Sequence, residues 1–65
     1  MMGQSTADGD PVARKKEAFK ALVEAQDQGQ SVPQSRRTVA EQFGISEDDV
    51  RDIEKEGVAK NWPPL

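Results

Sequence analysis

Between residues 46 and 55 the side chains able to bind through charge or hydrogen bonds fall at helical intervals. Ser46, Glu47, Asp48, Arg51, Asp52 and Lys55 share one broad face of a helix, and Arg36 and Arg37 precede them. Such a set fits recognition by contact. Arg36, Arg37 and Lys55 are the residue types that hold phosphates, whereas carboxylates such as Glu47 and Asp48 can accept from the amino group of cytosine. Catalysis is a poor fit. The chain has no histidine, cysteine or tyrosine, so the common proton shuttle and thiolate nucleophile are missing, and 65 residues leave little room for a deep pocket. The expectation is a binding protein, not an enzyme, with no cofactor. Metal binding is not expected either. Asp48, Asp49 and Asp52 do not follow the alternating pattern of a calcium loop, which also requires glycine at its sixth place, and Val50 and Ile53 interrupt them as core residues.

The elements that must carry these residues can be read from the apolar pattern. Asp10 and Pro11 open a first helix over about 11–28, with Asp10 as cap and proline in the first turn. Val12, Phe19, Leu22 and Val23 are placed on its inner face, and Gly29 stops it. Residues 30–34 read as a linker. Ser35 is expected to cap a second helix over 36–43, which Gly44 ends. Ser46, with Asp49 three residues on, caps a third helix over 47–57. Gly57 either ends that helix or is a weak point before a continuation to Lys60. Prolines 63 and 64 bar further helix, so the C-terminal end should be extended, with Trp62 folded back on the core. Residues 1–9 are small, polar and aperiodic and read as a disordered tail. No strand pattern and no repeat appears. The fold expected is all-α: one three-helix domain over 10–65, with marginal stability because only 34% of the residues are hydrophobic.

Residues 36–55 also meet the demands of a helix-turn-helix. Gly44 allows a left-handed turn. Ala40 is small where the helices cross, and Val39, Phe43, Ile45, Val50 and Ile53 fill the angle between them. An ordinary helical hairpin with a glycine in its turn would satisfy part of this pattern.

Thr38-Val39-Ala40-Glu41-Gln42-Phe43-Gly44-Ile45-Ser46, followed by Val50-Arg51-Asp52-Ile53-Glu54, resembles the helix-turn-helix in the fourth region of bacterial sigma factors. The likeness covers about residues 36–60, and residues 31–65 are similar to short bacterial helix-turn-helix proteins. The resemblance implies a small transcription regulator that binds double-stranded DNA through the third helix, in the cytoplasm. This chain departs from the family where the third helix begins: the family is rich in arginine there, and Glu47, Asp48 and Asp49 stand here. Asp52 replaces a neutral polar residue.

Charge weighs on the same point. The net charge is −3, which argues against undirected nucleic-acid binding. Between residues 35 and 60 there are five bases and seven acids. Acids in a first helical turn complement the helix dipole, which explains Glu47–Asp49 without any partner. The alternative function is therefore an acidic adaptor that keeps the fold but contacts RNA polymerase or another DNA-binding protein. One copy offers few DNA contacts, so a homodimer or a neighbouring protein is expected to assist. No apolar run is long enough to span a membrane, and the N-terminus lacks the basic start and apolar stretch of a signal peptide.

Overall fold

The computed structural model describes residues 11–64. Within them the chain forms three α-helices and no strand: α1 (Pro11–Asp27), α2 (Val32–Phe43) and α3 (Glu47–Lys60). The capping pair at Asp10, the tail over 1–9 and Leu65 lie outside the described residues.

α2 begins earlier than the sequence pattern predicts. It starts at Val32, four residues before the expected boundary, because Ser31 is its cap: the Ser31 hydroxyl accepts the Gln34 N–H at 3.2 Å. Pro33 then sits in the first turn, where a missing N–H costs nothing. Ser35, expected as the cap, is instead fully buried. Its hydroxyl donates to the Val32 carbonyl at 2.8 Å and accepts from the Gln26 side-chain amide at 3.1 Å, which ties α1 to α2. The supposed linker is thus mostly helix.

All three helices end in the same way. An N–H two or three residues past the helix donates to a carbonyl five residues back: Gln30 to Ala25, Ile45 to Ala40 and Trp62 to Gly57, at 3.1, 3.0 and 2.9 Å. This pattern satisfies carbonyls that have no partner inside the helix. It needs a left-handed residue just before, and Gly44 (φ 67°) supplies one in the three-residue turn between α2 and α3. At the end of α3 that residue is Asn61 (φ 54°), so the helix runs to Lys60 and does not stop at Gly57. The reversal at Asn61 returns Trp62 to the core, where it is 6% exposed.

Gly57 has a packing role. A Cβ there would fall 2.7 Å from Cγ of Phe19, so the missing side chain is what lets α1 approach α3. Phe19, Leu22, Val39 and Val50 are the large apolar side chains with essentially no exposure, and Ala18, Ala40, Ile53 and Trp62 complete the core. The Phe19 and Trp62 rings meet edge to face at 6.2 Å, a favoured aromatic geometry. Val12, expected on the inner face of α1, is 47% exposed. No helix among the described residues is long and apolar enough to cross a membrane.

Candidate nucleic-acid interface

The α2–turn–α3 unit buries one side of α3 and leaves the other in solvent. Val50, Ile53 and Gly57 face inward, and Ser46, Glu47, Asp48, Arg51, Asp52 and Lys55 are exposed. The cause is the cap. The Ser46 hydroxyl accepts the Asp49 N–H at 3.0 Å, which starts α3 in the register that turns Val50 into the core.

The candidate residues do not form one patch. Arg36, Arg51 and Lys55 gather around a shallow depression completed by Glu54, Val58 and Ala59. Asp52 lies on the opposite flank of α3, beside α1. Arg37 and Glu47 face each other across the turn, 3.8 Å apart, both well exposed.

Most of the positive charge is already matched. Arg36 points Nε and Nη2 at Glu54 Oε1, at 3.1 and 2.9 Å, with both side chains less than a third exposed. Arg51 lies 3.5 Å from Asp48 in an exposed pair. Lys55 has no ion pair among the described residues. These contacts differ in strength. The Arg36–Glu54 pair is partly shielded from water, whereas exposed pairs such as Arg51–Asp48 contribute about 0–1 kcal/mol and can exchange for another anion at little cost.

On the other flank α1 and α3 enclose a groove of about 360 Å³. Its floor is Ala18, Phe43, Ile45 and Ile53, and its rim carries Arg14 and Lys15 from α1 and Asp49, Asp52 and Glu56 from α3. Arg14 is engaged there: its guanidinium lies 5.6 Å above the Phe43 ring and donates to the Phe43 carbonyl at 3.2 Å. A cation at the end of α2 also opposes that helix's dipole. Lys15 and Lys60 both donate to Glu56, at 3.3 and 2.8 Å, and these two bonds hold the Glu56 carboxyl below its usual range.

Sequence reasoning missed this groove. Asp49 and Glu56 were not candidate site residues, and the place of Arg14 cannot be read from α1 alone, because its partner lies twenty-nine residues away. Val58 and Ala59 could have been found from their spacing to Arg51 and Lys55. Among the described residues no group of three acidic, histidine or cysteine side chains is placed to hold a metal. No protein-family model, curated protein or solved structure matches this chain.

Proposed function

We propose that this chain is a small DNA-binding transcription regulator that docks through the outward side of α3. The carrying observation is the gathering of Arg36, Arg51 and Lys55 around one depression on the open side of a helix whose other side is closed by the core. In this reading Lys55, Arg37 and Arg51 hold phosphates, the latter two after leaving their exposed carboxylate partners. Arg36 stays with Glu54 and braces α2 against α3. Ser46, Glu47 and Asp48 face the base edges, where a carboxylate can accept from cytosine, while Asp52, on the α1 side of α3, stays outside the contact. The likeness of residues 36–60 to the fourth region of sigma factors supports the same docking and a cytoplasmic setting. With so few cations the affinity is low and sensitive to salt.

The test is a titration of labelled protein with a short duplex at low salt, following the backbone amides by NMR. Signals from Arg37 and from Ser46 to Lys55 shift, the shifts shrink as salt rises, and Arg51→Ala weakens binding about tenfold. If no amide moves while the fold is intact, the proposal fails.

A separate observation favours a second reading. Arg36, Arg37 and Arg51 each already face a carboxylate, and acids outnumber bases from residue 35 to 60. In that reading the acidic first turn of α3 contacts a basic surface of RNA polymerase or of another DNA-binding protein. Cross-linking through Glu47 and Asp48, with no response to DNA, is its expected signature.

A further inference from the structure

The rim of the α1–α3 groove is unevenly matched. Arg14 is held by Phe43, and Lys15 by Glu56. Asp49 and Asp52 have no ion pair among the described residues, although they stand beside an apolar floor that includes Phe43, Ile45 and Ile53. The opposite imbalance occurs on α1. Lys16 and Lys20 are exposed and likewise have no ion pair among the described residues. They continue a stripe that begins at Val12, 47% exposed, because residues four apart line up along a helix.

We propose that a second copy of this chain docks on the groove, with Val12 against the apolar floor and Lys16 and Lys20 opposite Asp49 and Asp52. The spacing agrees: residues three or four apart on a helix carry their Cβ atoms about 5–6 Å from one another, so two ammonium groups from one copy match two carboxylates of the other. Both halves of the match are on the same chain, which is why the occupant is a second copy and not a foreign helix. Each copy carries both halves, so the contact closes as a pair when the two grooves are filled reciprocally. The groove lies on the flank of α3 away from Arg51 and Lys55, so the pair leaves both depressions open. The inference does not depend on DNA being bound.

Sedimentation equilibrium of the full chain, from about 10 μM to about 1 mM, reads the outcome. The mass rises from one copy to two with concentration, and added salt weakens the rise. The variants D49K/D52K and K16E/K20E each raise the dissociation constant about a hundredfold, because like charges then face each other. An equimolar mixture of the two variants regains association. D49N/D52N, which keeps the first turn of α3 free of added positive charge, weakens the pair about tenfold. Circular dichroism reports whether each variant keeps its helices. A single copy throughout, a pair indifferent to these substitutions, or a mixture that fails to reassociate overturns the proposal. Amide shifts with DNA at Arg51 and Lys55 are read separately, so they can persist when pairing fails.

Discussion

The two sides of α3 are built on different physics. Inward, Val50 and Ile53 are buried and Gly57 receives the Phe19 ring. Packing there leaves no tolerance, because an interior at close-packed density responds to a single methyl group. Outward, Asp48, Arg51, Asp52 and Lys55 are held by little more than one exposed ion pair. Burial therefore fixes what α3 is, and the exposed charges leave open what it touches. A substitution should be severe or nearly silent for stability according to the side on which it falls, whatever its chemistry.

Phe19→Ala is the strongest test of that contrast. Removing a buried phenylalanine costs about 3–5 kcal/mol, and a 65-residue chain has on the order of 3–10 kcal/mol in all. The variant should lose about a third or more of that total, with a fall in its urea midpoint larger than for any other substitution named here. Gly57→Ala is next. Alanine favours a helix over glycine by about 1 kcal/mol, yet here its methyl group meets the Phe19 ring, and overpacking costs about 1–3 kcal/mol. Urea melts should show a net loss. If the variant is more stable than the parent, α1 can move away and the close approach is not a constraint. Val58→Ala, one residue along and 57% exposed, should stay within about 0.5 kcal/mol of the parent.

The same contrast explains what was legible in the sequence. The inner side could be read because apolar periodicity and turn chemistry are local. Gly44, Ser46, Val50 and Ile53 took the places their types and spacing required. Errors arose where two local rules competed or where a distant residue decided. The cap expected at Ser35 is Ser31, because the Ser35 hydroxyl is committed to buried partners, the Gln26 amide and the Val32 carbonyl. Gly57 left two readings open, a stop or a weak point before a continuation to Lys60, and the helix continues to Lys60; the role of Gly57 is set by Phe19 across the core, and Asn61 makes the left-handed turn. Of the outward residues Glu47, Asp48, Arg51, Asp52 and Lys55 were named as site residues and Asp49, Glu56, Val58 and Ala59 were not, and the partition between two flanks of α3 stayed hidden because it depends on how α1 crosses the helix.

Within the charged layer, Arg36 and Arg51 give a finer comparison. Arg36 reaches one carboxylate oxygen of Glu54 with two nitrogens in a half-buried setting, and truncation leaves Glu54 without that partner. Arg36→Ala should lower stability by about 1 kcal/mol in a urea melt, and Arg51→Ala by less than about 0.5 kcal/mol. Equal losses would mean that burial does not separate the two pairs. With DNA the order should reverse: Arg51→Ala weakens binding more than Arg36→Ala does, because only Arg51 has an exposed partner to give up.

The smallest effect belongs to Glu56, and it has a definite sign. The Lys60 and Lys15 ammonium groups lower its pKa in the folded chain from the ordinary 4.5. A carboxyl depressed by folding contributes stability above its unfolded pKa and loses it as pH falls through the folded one. The parent should thus exceed Glu56→Gln in stability near neutral pH by a small margin. That margin should shrink below about pH 4.5 and vanish once the folded-state carboxyl is protonated. Melts of both proteins from about pH 6 to about pH 2 would trace it. Since Lys15 and Lys60 reach Glu56 from solvent, with 45% and 59% of their side chains exposed, moderate salt should screen most of the difference, whereas a Phe19 or Gly57 deficit should not respond to salt. A Glu56 margin that survived both acid and salt would place this residue with the packed side of α3, and the division between its two sides would have to be redrawn.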